Sequence, residues 1–271
     1  MNQVRLIFDR KRQSFLKSRA ISLHQDKKSY FLHEEIESIL LERLAYTRYK
    51  FPKVLLTAPV SQHFIKNLLS QGHGKSCFVE LYPGIISPFQ QKKGTCPVIG
   101  DEENLPFLEK SFNLVISFLG LHQLNDVMGT LTRSHSLLDR EGLYLSAFFG
   151  GETLLELRES LLSAEIEMTN GASPRVHPMI TPEDAMMLFN NAGFKWPVID
   201  HEKINIIYPS LSSLLKEIKS IGESISLIER TRKPLSRLIL KRAETIYQGT
   251  FGTAEGKLKA TVDVIFLTGW T

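Results

Sequence analysis

Apolar and polar positions alternate along this chain in two rhythms, and the switches between them mark out its elements. Over 31–46, Leu32, Ile36, Ile39, Leu40 and Leu44 recur at helical spacing while Glu34, Glu35, Glu37 and Glu42 take the other face, predicting an amphipathic helix. Short apolar runs at 53–57, 76–81, 96–99, 113–118 and 143–149 read as strands, with helices at 62–70 and 124–138 between them. Asp139, Arg140, Glu141 and Gly142 are expected to close the second of these helices. Strands alternating with helices imply a largely parallel sheet covered on both faces.

After Gly150 and Gly151 the rhythm becomes mainly helical, with a helix over 153–168 in which Thr153 and Glu156 have the spacing of a capping box. Thr181, Pro182, Glu183 and Asp184 form a helix start: a Thr cap, Pro at the first helical position and acids in the first turn. The stretch 198–208 reads as extended, 211–221 and 234–247 as helices, and 261–267 as a final strand that rejoins the first sheet. The expected division is a helical arm over 1–50 packing on a core domain over 51–271, with a helical insertion around 151–250.

Composition narrows the class. The 271 residues are 42% hydrophobic and 23% charged, enough apolar content for a sizeable core and too little bias for a disordered or fibrous chain. A formal charge of +4 does not announce a nucleic-acid partner. The basic excess is local, since residues 1–30 hold eight Lys/Arg against two acids. Within this arm Leu6, Ile7, Phe8, Phe15 and Leu16 offer apolar anchors, so it is expected to be a helix of the mature fold; an organelle transit peptide and a membrane-proximal basic helix are the other readings. Two cysteines, Cys77 and Cys96, lie outside any CxxC or Cys/His cluster, which predicts neither a metal site nor a disulfide framework. The longest apolar runs are far below the ~20 residues of a membrane span, predicting a soluble, cytoplasmic protein.

Ligands of an open parallel sheet sit beyond the carboxyl ends of its strands. Candidates there are the loop after Thr57, Glu80, Asp101 with Glu102, the 118–125 segment, and Gly150 to Glu152. Glu80 follows the first strand by close to the ~20-residue offset of a ribose-binding acid. The loop after Thr57 runs Ala58, Pro59, Val60, Ser61, Gln62 without a glycine, where a nucleotide cradle needs bare backbone. Val60 resists positive φ and Pro59 lacks an amide donor. His122 is a candidate general base or a hydrogen-bonded structural histidine, and Glu152 a candidate over the cleft or only part of a turn. Arg175 and His177 are candidates for lining a substrate cleft, and Trp196 and Trp270 for buried anchors.

The stretch Asp101, Glu102, Glu103, Asn104, Leu105, Pro106, Phe107, followed by 111–117 and Leu121-His122, resembles the class I S-adenosylmethionine-dependent methyltransferases. Phe8-Asp9-Arg10, the 121–126 segment, Gly150 to Leu154, 171–174, Gly222-Glu223-Ser224 and the 260–270 end are similar to one subfamily, the methyltransferase-fold assembly factor of respiratory complex I. Its bacterial relatives often carry a biotin-synthesis methyltransferase label. The resemblance implies a Rossmann-like α/β fold with a mostly parallel seven-stranded sheet and helical additions. It also implies hydroxylation of an arginine on a complex I subunit as the activity. Glu80 matches the ribose-binding acid and Asp101 the acceptor of the adenine amino group, with Glu102, Ala58 and Val60 alongside the cofactor. The family's Asp-x-Gly-x-Gly-x-Gly motif falls on Leu56, Ala58, Val60 and Gln62, and none of its residues is kept; Asn113 replaces an Asp in a supporting position. The expectation is therefore S-adenosylmethionine binding weakened or lost, with a protein substrate or complex I subunit as partner. An active methyltransferase or arginine hydroxylase and a non-catalytic scaffold are the alternatives. The mitochondrial matrix is the alternative location.

Overall fold

The computed structural model describes residues 5–23, 31–57, 62–80 and 95–271. Seven strands, β1 (Lys53–Thr57), β2 (Lys75–Glu80), β3 (Thr95–Ile99), β4 (Phe112–Phe118), β5 (Leu138–Gly150), β6 (Lys195–Tyr208) and β7 (Leu258–Trp270), form one sheet in the order β3-β2-β1-β4-β5-β7-β6. The pairs from β3 through to β5 are parallel. Strand β7 enters antiparallel between β5 and β6, so the last strand does rejoin the first sheet. The helices are α1 (Arg10–Leu23), α2 (Phe31–Tyr46), α3 (Gln62–Ser70), α4 (Val127–Leu137), α5 (Leu155–Thr169), α6 (Pro182–Asn191), α7 (Leu211–Ser220) and α8 (Arg237–Phe251).

Strand alternation splits the core into two layers. Val54, Leu56, Leu114 and Ile116 face one side, where Ile36, Leu40 and Leu44 of α2 and Phe64 and Leu68 of α3 cover them. Leu55, Val115, Tyr144 and Phe148 face the other, against Leu131 of α4 and Phe189 of α6. A third cluster joins α5, α7 and α8 over Tyr208, Leu258 and Ala260, at the end of the sheet where β6 and β7 outrun the others.

Several local expectations are corrected. A 3-10 turn over Leu121–Gln123 precedes α4, which begins one residue after its Asp126 cap; the Asp126 side chain accepts from Gly129 N. Residues 139–142 lie within β5 and bulge out of register, since Phe112 pairs with Leu138 and Leu114 with Leu143. There is no capping box at α5: Thr153 Oγ1 bonds Gly150 O and Asp263 O, Glu156 accepts from Thr261, and Leu154 opens the helix in the left-handed region at φ 56°. Longer-range partners on β7 outcompete the local cap. In α1 the buried stripe is Gln13, Leu16, Lys17 and Ala20, while Phe15 is exposed, as are Leu6 and Ile7 ahead of the helix. The helix packs on polar partners, which an apolar count does not see. Trp196 is 75% exposed rather than an anchor, whereas Trp270 packs partly buried near Tyr49 and Phe51.

Candidate functional site

Three segments distant in sequence close over the carboxyl ends of β3, β4 and β5. The strand-like stretch before α1 pairs with the segment after α7: Phe8 bridges Leu227, Asp9 N donates to Ser226 O at 2.8 Å, and Ile228 N donates to Ile7 O at 2.9 Å. Asn125, following β4, accepts from both Ile7 N and Phe8 N at 2.7 Å. This lays α1 along the site and points its polar stripe inward.

At the centre is Glu223. Its buried carboxylate takes the Lys17 ammonium, the Gln123 amide and, at 3.1 Å, His122 Nε2. Burial alone would raise its pKa, but Lys17 and His122 outweigh burial and hold it well below the usual carboxylate range. Because an ionised carboxylate only accepts, the bonded His122 Nε2 is the donor, which leaves Nδ1 as the ring's other nitrogen. That Nδ1 is buried and has no hydrogen-bond partner among the described residues, and the ring packs edge-on to Phe149 at 5.1 Å. Gly222 makes the cluster possible. Its φ of +77° suits glycine, and a Cβ there would come within 3.0 Å of Lys17 Cδ and 3.1 Å of Lys17 Cα.

Asp101 stands two residues beyond β3 and is already engaged. Arg10 Nη2 meets its Oδ1 at 2.7 Å, and Glu103 N donates to the same oxygen at 3.0 Å. Burial would raise the Asp101 carboxyl, but the Arg10 guanidinium more than offsets it and the net shift is downward. Glu102 is 6% exposed, and burial pushes its carboxyl pKa up. Its Oε2 lacks a hydrogen-bond partner among the described residues and lies where Gly120 has no side chain.

Glu80 ends β2, paired in register with Ile99 of β3; its side chain lies outside the described residues, as do Ala58 and Val60 entirely. Leu56, at the motif's acidic position, is fully buried in the core. Glu152 is exposed and pairs with Lys203 of β6 at 2.8 Å. Arg175 is held by Glu165 at 2.5 Å. His177 is buried, its Nε2 accepts from Ser226 N at 2.8 Å, and burial holds it down to about 4.

Beside Glu223 opens a cavity of about 190 Å³ between Phe149 at the end of β5, the start of α5 and the inner face of α7. Its walls are mainly apolar, with His177, Tyr208, Glu217 and Glu223 among the polar lining. Lys17 and Glu217 drew no attention as site residues in the sequence. Glu223 stood only within the Gly222-Glu223-Ser224 motif, which was the available signal. None of the described helices is long and apolar enough to cross a membrane.

This sheet order, with its antiparallel β7 and its site at the carboxyl strand ends, defines the class I methyltransferase fold. YcgJ from Bacillus subtilis shares it with a TM-score of 0.58 at 15% identity, over 86% of this chain and 98% of that one. A methyltransferase-domain family model matches residues 60–146. The chain belongs to the family of the arginine-hydroxylase NDUFAF5, a complex I assembly subfamily of the methyltransferase fold. It is 30% identical to the mitochondrial Danio rerio protein over 97% of this chain and 82% of the relative. It is 31% identical to the mitochondrial Homo sapiens protein, over 97% and 76%. The cytoplasmic expectation finds no support in these relatives, whose names place them in mitochondria.

Proposed function

We propose that this protein is a methyltransferase-fold factor that acts on a protein partner in the assembly of respiratory complex I, in the mitochondrial matrix. The observation that carries the partner assignment is a family match over 97% of the chain. On this reading residues 1–50 are an arm that completes the site of a 51–271 methyltransferase-like unit, with its helical insertion around 151–250.

S-adenosylmethionine binding is weakened or lost. The described residues do not fit that molecule well, because Leu56 fills its position with core and Asp101 is committed to Arg10. An adenine amino group would have to displace a guanidinium held at 2.7 Å. The residues before α3 add side chains where a cradle needs bare backbone. Losing such contacts costs a few kcal/mol, and each ~1.4 kcal/mol is tenfold in affinity. Part of the basic arm serves the fold: Arg10 and Lys17 pair inside the site, and Arg12 donates to Ile225 O.

Titrating S-adenosylmethionine into the purified chain by calorimetry tests the cofactor claim; low-micromolar binding refutes it. Affinity purification from cells tests the partner claim, with complex I subunits expected in the eluate. A second reading, an active arginine hydroxylase, is favoured by the family match and by the His122 ring, which packs on Phe149 and pairs with Glu223, two residues that line the cavity. Arginine hydroxylation detected on a co-purified subunit, and lost in His122→Gln, would establish it.

A further inference from the structure

The cavity beside Glu223 presents little net charge to its contents. Arg175 is bound by Glu165, Glu223 is held by Lys17, and His177 accepts the Ser226 amide while burial keeps its ring neutral. Glu217, on α7, hydrogen-bonds the Tyr208 hydroxyl at the end of β6, and burial pushes its carboxyl pKa up, towards the uncharged form. A charged ligand would give up its hydration here and meet only groups that already have partners.

Most of the remaining lining is hydrocarbon. Leu154 and Leu157 at the start of α5 and Leu214 and Ile218 on α7 supply walls for a space of about 190 Å³. An apolar protein cavity of about 150 Å³ admits a benzene ring, so this one has room for a single six-membered ring with a small substituent. The Glu217–Tyr208 pair sets it apart from a purely apolar void. A carboxyl and a hydroxyl together offer a donor and an acceptor, which a ligand hydroxyl can satisfy from both sides and a bare hydrocarbon leaves unused.

We propose that this cavity binds a free, uncharged single-ring molecule carrying one hydroxyl, with the ring against α5 and α7 and the hydroxyl on Glu217 and Tyr208. A tyrosine side chain offers the same groups, so the free and peptide-borne forms are compared directly. p-Cresol, toluene, benzoate, benzylammonium and N-acetyl-tyrosine amide are titrated into the full chain by calorimetry. p-Cresol is expected to bind at least as tightly as toluene, and about tenfold or more tighter than the two ions and the tyrosine amide. The double variant Tyr208→Phe with Glu217→Leu removes both polar partners together, with circular dichroism as the check on folding. There the order is expected to reverse: toluene binding is kept, and p-cresol falls about tenfold or more below it. Ile218→Phe, which fills the cavity from α7, is expected to abolish binding of both; the ligand order in the double variant tests the site without it. No binding of any probe overturns the proposal. So do benzoate, benzylammonium or the tyrosine amide binding as tightly as p-cresol, and p-cresol still matching toluene in the double variant. Because these probes need no respiratory subunit, failure to co-purify with complex I would refute the partner reading and leave this result standing.

Discussion

His122 and Glu223 lie 101 residues apart in sequence and meet at 3.1 Å, with the His122 side chain fully buried and that of Glu223 8% exposed. Contact across that separation depends on α1, which contributes Lys17 to the same carboxylate from a third part of the chain. A buried anion of this kind persists only while its partners neutralise it.

Removing the cation alone should therefore be severe. Lys17→Met leaves Glu223 buried without its ammonium partner and is expected to cost about 3–5 kcal/mol in urea unfolding. The double variant Lys17→Met with Glu223→Gln should recover most of the loss. Glu223 also sets an acid limb: its folded pKa is depressed, so its stabilisation is complete above the unfolded value of 4.5 and is lost as pH falls further. In Glu223→Gln that limb should flatten.

Two buried histidines act at milder pH. Burial holds both His33 and His177 down to about 4, against an unfolded value of 6.5. The unfolded chain therefore takes up protons first. Stability should be complete above pH 6.5 and decline as pH falls from 6.5 towards 4, by on the order of 2–3 kcal/mol per histidine. Urea midpoints at pH 7, 5.5 and 4.5 measure the slope, and His177→Gln should reduce it.

Gly120 separates packing from backbone conformation. Its φ of −109° is open to any residue, yet a Cβ would stand 2.4 Å from Glu102 Oε2. Gly120→Ala is expected to cost about 1–3 kcal/mol, seen as a drop of several degrees in Tm. Adding Glu102→Ala should return part of it.

Restoring the acidic residue of the family motif should fail by itself. Leu56 is fully buried among core side chains, and Leu56→Asp would bury an unpaired carboxylate. A loss of about 3 kcal/mol or more is expected in chemical unfolding, with no gain in S-adenosylmethionine binding by calorimetry.

The sequence alone determined the alternation of strands and helices, the two-faced core and the return of the last strand, because strand and helix periods are local properties of the chain. It also placed Asp101 and His122 at the carboxyl ends of their strands, and the Gly222-Glu223-Ser224 motif marked a segment whose role it left unsaid. The tertiary structure decided the rest. Only packing shows that Arg10 takes Asp101, that Lys17 and His122 share Glu223, that Glu217 lines a cavity and forms no ion pair among the described residues, and that Thr153 and Glu156 bond to β7 instead of capping α5. A buried polar contact depends on which distant groups exclude water from it together, and no window of neighbouring residues carries that information.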